Sequence, residues 1–275
     1  HARTLAEHHS QDEIVRAVKA IAPVFGGINM EDIASPKCFD IEKRLIAELD
    51  IPVMHDDQHG TAIIVLAGLM NATKVVKKNI KNLKVVISGA GAAGTAVAKL
   101  LHAFGIADII LLDRAGTIYA SRPELNEHKK ELADLTNPRG VRGGLAEAMR
   151  GADVFIGVSG KGLLKAEHVA SMAPRSIVFA MANPEPEILP SEAKRAGAMV
   201  IATGRSDFPN QINNALVFPG IFRGALDKGV KKITEATKLR AARALAALIP
   251  HPTAHKIIPD LLDPDVRHLD GCGSA

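Results

Sequence analysis

Between Leu83 and Gly204 the chain alternates short apolar runs with helix-like stretches, and this alternation constrains its fold more than any other feature. The runs are LKVVISG (83–89), ADIILLD (107–113), ADVFIGVSG (152–160), RSIVFAMANP (175–184) and AMVIATG (198–204). Each is continuously apolar, without the in-and-out alternation of a strand that has one wet face. Strands of this kind, separated by helices, form a parallel sheet covered on both sides. The expected fold class is α/β with a doubly wound parallel sheet.

The flanking sequence adds helices. Ser10 stands three residues before Glu13, and Ile14, Val18 and Ile21 share one face, which predicts a capped helix over 12–21. A second helix is expected from about Cys38 to Leu49, then a short strand over 50–54. HDDQHGT follows at 55–61 and opens a small-residue helix that runs to about Lys78. After Phe208, a long amphipathic helix is expected from Ile233 to Leu248, with Ala236, Leu239, Ala242, Leu245 and Leu248 on its apolar face. The His-rich residues 1–10 are expected to be ragged, and the Pro-rich tail from His251 to wrap a surface.

Composition narrows the partners. The net charge of +4 comes from scattered basic residues rather than one block, the pattern of solvated helix faces. There is no Trp and a single tyrosine, Tyr119, which argues against a protein that stacks single-stranded bases on aromatics. The longest apolar run, Ala62 to Met70, is too short for a bilayer that needs about 20 residues. No nucleic-acid and no membrane partner is therefore expected. Two cysteines, Cys38 and Cys272, form no disulfide framework and suggest a reducing, cytoplasmic setting.

The first chemical signal is GAGAAG at 89–94, comprising Gly89, Ala90, Gly91, Ala92, Ala93 and Gly94. It follows a predicted strand and opens a helix, the context a dinucleotide fingerprint requires. Gly89 permits the tight turn, Gly91 lets a pyrophosphate approach the backbone, and Gly94 lets the helix pack close to the strand. The unpaired amides of the helix N-terminus face the phosphates. This makes the sheet a Rossmann-like dinucleotide domain. The second strand ends on Asp113, 24 residues after Gly89, where a carboxylate meets a ribose hydroxyl and favours NAD. Arg114 beside it suits a 2′-phosphate, so NAD and NADP both stay open.

The second signal is acidic. Glu31 and Asp32 follow a glycine turn, and Asp56 and Asp57 stand where strand 50–54 gives way to a helix. Adjacent carboxylates repel, and four near one site call for a cation or raised pKa values. An all-oxygen set suits Mg²⁺ or Mn²⁺. His55 and His59 have the spacing of a zinc helix, but Asp56 stands where that motif requires Glu. The third signal is asparagine: Asn183 at the carboxyl end of the fourth strand, then Asn213 and Asn214. Neutral amides bind a carboxylate or carbonyl without competing with a cation.

Together these segments resemble malic enzyme of the compact bacterial type. The resemblance rests on FGGINMEDIASPKCFDIEKRL, IPVMHDDQHGTA, VVISGAGAAGTAVAKLL, LLDRAGTIY, FAMANPEPEI and RSDFPNQINNALVFPGIFRGALD, and covers about residues 10–260. It implies divalent-metal-dependent oxidative decarboxylation of malate to pyruvate and CO₂, with reduction of NAD or NADP. It also implies Glu31, Asp32 and Asp57 as metal ligands, with Asp56 adjacent as a supporting catalytic residue. Gly89 to Gly94, Asp113 and Arg114 would hold the cofactor, and Asn183 with Asn213 or Asn214 the substrate.

Malic enzymes carry a lysine base and a tyrosine acid ahead of the metal loop. Lys19 and Tyr119 fit neither motif here, so this chain alone is expected to be slow or inactive. The expected organisation is a substrate-domain remnant (1–55), a dinucleotide domain (56–213) and a C-terminal helix and tail (214–275) packing on the remnant. A homodimer is expected to cover the apolar surface such a division leaves. The competing readings are a chain that binds metal and dinucleotide without turnover, and a different small-acid dehydrogenase in which the acidic residues do not converge.

Overall fold

The computed structural model describes residues 10–261 and 263; the ragged start expected of residues 1–9 lies outside them. Helix α1 (Gln11–Ile21) begins as its sequence predicts, with Ser10 Oγ accepting from Glu13 N and Glu13 returning a carboxylate to Ser10 N. Its Val15 packs with Met30, Ile41, Leu45 and Val53 in a small separate core. That core joins α1 to β1 (Ile28–Met30), α2 (Lys37–Glu48) and β2 (Val53–His55). β1 and β2 form a two-stranded parallel sheet. β1 is a strand not foreseen, because three residues after two glycines carry no periodicity to read.

Helix α3 (Asp56–Val76) follows β2 without a loop. Every residue from Ala62 to Leu69 is buried, and a helix apolar all round belongs in a core. It is long and apolar enough by composition to cross a membrane, but 72% of its most apolar 18-residue window is buried inside the protein. It is the central core helix.

The main sheet has six strands: β3 (Lys84–Ser88), β4 (Asp108–Asp113), β5 (Gly116–Thr117), β6 (Val154–Gly157), β7 (Ile177–Ala180) and β8 (Val200–Thr203). Their order is β5-β4-β3-β6-β7-β8. All pairs are parallel except the short β4–β5 edge, which pairs antiparallel and was not foreseen. The chain proceeds outward from β3 to β4, then returns to β6 on the other side. The strand order therefore reverses between β3 and β6, where open α/β sheets form a ligand crevice.

The period of two along each strand divides the interior. Val85, Ile87, Ile109, Leu111, Ile156 and Phe179 face α3, α4 (Ala92–Phe104) and α10 (Glu235–Ala247). Val86, Ile110, Phe155 and Val178 face α6 (Leu145–Met149), α7 (Ala166–Ala170) and α8 (Pro190–Arg195). Helix α5 (Glu127–Leu135) covers the edge beside α4, and α9 (Phe218–Asp227) follows the last strand.

The C-terminal part differs from expectation in three ways. The buried face of α10 is Thr237, Ala241, Ala242, Leu245 and Ala246, while Ala236 is exposed and Leu239 and Leu248 are half-buried. Leu239 and Leu248 nevertheless pack against the main core. The segment 214–275 is also divided: α9 sets Phe222 and Leu226 against Gly27 and Gly26 of the first part, whereas α10 packs on α3 and α4. Finally, the tail does not merely wrap a surface. Ile257 and Ile258 are buried in the main core, and Asn71 of α3 donates to the carbonyls of Ala246 and Ile257 at 2.9 and 3.0 Å.

Candidate functional site

The glycine loop lies at the β3 end of the crevice. Gly89 has φ +118°, a left-handed conformation, and a Cβ there would sit 2.7 Å from the Val158 carbonyl oxygen. A Cβ on Gly94 would run into the Gly89 carbonyl oxygen. Gly91, by contrast, has room for a Cβ, which would meet only Ser35 Oγ at 3.9 Å. Gly89 and Gly94 thus stand where a side chain would clash, Gly91 has room, and Ala92 and Ala93 begin α4. Ala90, Gly91, Ala92 and Ala93 are half-buried.

Asp113 ends β4 on the rim of a cavity of about 860 Å³ that also exposes Arg114. Its carboxylate is already fully engaged. Arg122 reaches it at 2.9 Å, Lys129 at 2.6 Å, and the Ala115 amide at 2.9 Å. Burial alone would raise its pKa, but Lys129 and Arg122 outweigh that and hold the carboxyl below the usual range. Arg122 and Lys129 were not singled out in the sequence; Lys129 comes from α5, with no local motif to mark it.

The acidic residues converge at the β2–α3 junction. Asp32, at φ 57°, presents its amide to Asp57 Oδ2 at 2.8 Å. Asp56 is 2% exposed, accepts from Asn214 Nδ2 at 2.9 Å, and keeps its Oδ1 buried without a hydrogen-bond partner. Burial first, and then the Glu31 charge, push its carboxyl up to about 7, with Asp57 adding to the effect. Asn29 bonds Glu31 at 2.8 Å and faces Asp56 as well. Gly60 makes room for this arrangement, since a Cβ there would overlap Asp56 Oδ1.

Among the described residues no three His, Cys, Asp or Glu side chains form a ready-made metal cage. The donor set nonetheless fits a hard divalent cation: oxygen ligands only, and one buried carboxylate oxygen left without a proton donor. Zinc chemistry has no such support, because His59 spends Nε2 on Glu42 at 3.0 Å and Nδ1 on Lys238 at 2.9 Å. His55 is fully buried, and neither ring nitrogen has a hydrogen-bond partner.

The asparagines separate. Asn214 joins the acidic junction, whereas Asn213 caps a local 3₁₀ turn through Ala215 N at 2.9 Å. Asn183 is exposed at the end of β7, beside Gly204 at the end of β8. Buried Glu187 secures these loops by accepting from Ser159 N and Ala182 N, both at 3.1 Å. Tyr119 lies under Arg142 at 4.9 Å near the Asp113 cavity, and Lys19 pairs with Glu48 at 2.6 Å.

Comparison with known proteins gives a consistent picture. The family profile described as malic enzyme, NAD-binding domain, matches residues 58–269, and the malic enzyme N-terminal domain profile matches residues 1–46. The match thus extends to residues 1–9, ahead of the segments that carried the resemblance. The chain is 54% identical over 257 residues to an NAD-dependent malic enzyme of Geobacillus stearothermophilus, covering 93% of this chain and 54% of that protein. It is 53% identical to a bifunctional malic/malolactic enzyme of Bacillus subtilis, covering 92% of this chain and 62% of the relative. The crystal structure of an NAD-dependent malic enzyme from Thermotoga maritima superposes with a TM-score of 0.91 at 46% identity, over 95% of this chain and 69% of that one. The chain spans a little over half the length of the curated relatives it matches. A profile match over residues 58–269 and relatives more than half identical along nearly the whole chain lead to a single conclusion: this chain belongs to the malic enzyme family.

Proposed function

We propose that this chain carries the metal-binding and dinucleotide-binding machinery for oxidative decarboxylation of malate to pyruvate and CO₂, coupled to reduction of NAD or NADP. The observation that carries the reading is a juxtaposition. Ser35, on the loop that follows Glu31 and Asp32, is the residue that a side chain on Gly91 would meet, its Oγ standing 3.9 Å from the Cβ position. Asp56, Asp57 and Asn214 complete the acidic side of the same crevice.

Glu31, Asp32 and Asp57 would hold Mg²⁺ or Mn²⁺, with Asp56 beside them. The cation, when bound, polarises the oxygen at which negative charge develops, as a Lewis acid. The protein's own groups do the rest. The α4 amides and the open face of Gly91 seat the pyrophosphate. Asn214 orients Asp56, whose carboxyl can hold or release a proton near neutral pH at Oδ1. Asn183 stands at the strand ends to bind a carboxylate without adding charge. Arg114, Arg122 and Lys129 surround the ribose end of the cofactor.

Lys19 and Tyr119 are engaged elsewhere, which favours a second reading: binding without efficient turnover by this chain alone. Absorbance at 340 nm with malate, Mn²⁺ and each cofactor separates the two. Turnover that Asp57→Asn abolishes supports the first reading. Mn²⁺ and NADH binding without turnover supports the second, and failure to bind either ligand overturns both.

The same reading includes a homodimer. Ile21, Val24, Phe25 and Leu226 are exposed apolar side chains, with Val24 80% exposed, and Leu226 lies against Gly26. Light scattering at the dimer mass is the expected outcome; a monomer at micromolar concentration overturns it. A cytoplasmic location also belongs to this reading, supported by the buried free thiol of Cys38.

A further inference from the structure

Glu42 lies on α2, was given no role above, and is 6% exposed. Its carboxylate accepts three hydrogen bonds, all from one five-residue stretch. His55 N donates to Oε1 at 2.8 Å, Gln58 Nε2 to Oε2 at 3.2 Å, and His59 Nε2 to Oε2 at 3.0 Å. Asp56 and Asp57 are the two residues between these donors. One carboxylate therefore brackets the acid pair, gripping the chain on the strand side and again in the first turn of α3.

This grip adds to the contacts that Asp32 and Asn214 make with the acid pair itself, because it holds the backbone on either side of that pair. His55, the N-cap of α3, provides no side-chain cap, and its imidazole is buried without partners. The direction in which Asp56 and Asp57 point depends on the backbone angles at this junction. Glu42 sets those angles through His55 N–H.

The carboxylate is in turn held by a cation from the other end of the chain. Lys238 of α10 places Nζ 2.9 Å from His59 Nδ1. An ammonium donates and never accepts, so Nδ1 is the accepting nitrogen and the ring hydrogen sits on Nε2, directed at Glu42. A neutral imidazole thus bridges a buried anion and a half-buried cation. Burial raises the proton affinity of Glu42, but the His59 and His55 donors and the Lys238 charge outweigh it and keep the carboxyl below its ordinary range. A buried ion pair is poor value as a stabiliser compared with apolar packing. Its presence here calls for a role that packing alone does not supply.

We infer that Glu42 is the positioning residue of the metal centre: it fixes the strand-to-helix junction that aims Asp56 and Asp57, and Lys238 keeps it in place through His59. The inference rests on the reading of the acid pair as part of a metal site, and the two are tested separately.

The experiment titrates Mn²⁺ into the full chain, following the free ion by electron paramagnetic resonance, with thermal melting measured in parallel. Asp57→Asn tests the metal reading and is expected to abolish binding. Outer-shell partners of a metal ligand are commonly worth about 10–100-fold in affinity, and Glu42→Ala is expected to weaken Mn²⁺ binding by that amount. Glu42→Gln keeps an oxygen for His55 N–H and should fall between Glu42→Ala and the parent chain, as should Lys238→Met. If Glu42→Ala fails to fold, the Gln and Met variants decide. A role in folding alone lowers their melting temperatures and leaves the Mn²⁺ dissociation constant at the parent value, which overturns the inference. A parent chain that takes up no Mn²⁺ overturns the metal reading, and the inference with it.

Discussion

Asn214 Nδ2 lies 2.9 Å from Asp56 Oδ2, joining positions 158 residues apart at the edge of the acidic junction. Its neighbour Asn213 serves a local turn instead. Asn214→Ala is therefore expected to weaken Mn²⁺ binding about tenfold, by removing one hydrogen bond to a charged, buried group worth about 1.5–3 kcal/mol. Asn213→Ala should cost about 1 kcal/mol of stability as a lost cap and leave Mn²⁺ affinity unchanged. Equal Mn²⁺ affinities for the two variants would refute the distinction.

Gly60 offers a test against ordinary helix rules. Gly→Ala inside a helix usually stabilises by about 1 kcal/mol. Here the added methyl overlaps Asp56 Oδ1 and comes within 3.1 Å of Asn214 Cβ, so Gly60→Ala should destabilise the chain by about 1–3 kcal/mol. Urea unfolding gives the sign directly. A more stable variant would show that the carboxylate can move aside without cost.

The glycine loop and the sheet were legible because their signals are local. Continuous apolar runs of strand length and a GAGAAG at a strand end each fit within about ten residues, and the structure places them where the pattern requires. The acid pairs were legible as residues, but their convergence was not derivable from spacing, since Asp32 and Asp57 meet only through the fold. Glu42, Lys129 and Lys238 were invisible for a different reason. Each acts across at least 13 residues of sequence, on an ordinary helix, where a charged side chain reads as a solvated face. The apolar face of α10 was legible in Leu239, Ala242, Leu245 and Leu248, which all meet the core, whereas exposed Ala236 does not join it and the burial of Thr237 carries no apolar signal to read.

The ribose end of the cofactor cavity gives a prediction about charge. Lys129 and Arg122 neutralise Asp113 and leave an excess of positive charge beside Arg114. Lys129→Ala is expected to lower NADPH affinity relative to NADH several-fold, by removing a cation near the 2′ position. Fluorescence titration of both reduced cofactors measures the ratio. An unchanged ratio would mean that Lys129 serves only to hold Asp113.

Lys238 supplies a pH dependence. Burial lowers its pKa from 10.5 to about 8, against the favourable charge of Glu42 and Glu235. Between those two values the unfolded chain binds more protons than the folded one, so stability contributed by this group rises with pH across that window. The melting temperature of the parent chain, taken relative to Lys238→Met, should climb by about 5 °C between pH 8 and pH 10. A flat difference would mean that the amine stays charged in the folded protein.

The tie from Asn71 to the carbonyls of Ala246 and Ile257 bears on how the molecule is made. A ribosome releases the strands and the glycine loop of the cofactor crevice well before it releases α10 and the segment that buries Ile257. Until then Asn71 has no carbonyls to meet, α3 keeps one apolar side open, and Lys238 is not yet there to hold His59. The packing of α3 and the His59–Lys238 contact beside the acidic junction are therefore completed only after α10 and the Ile257 segment have been made.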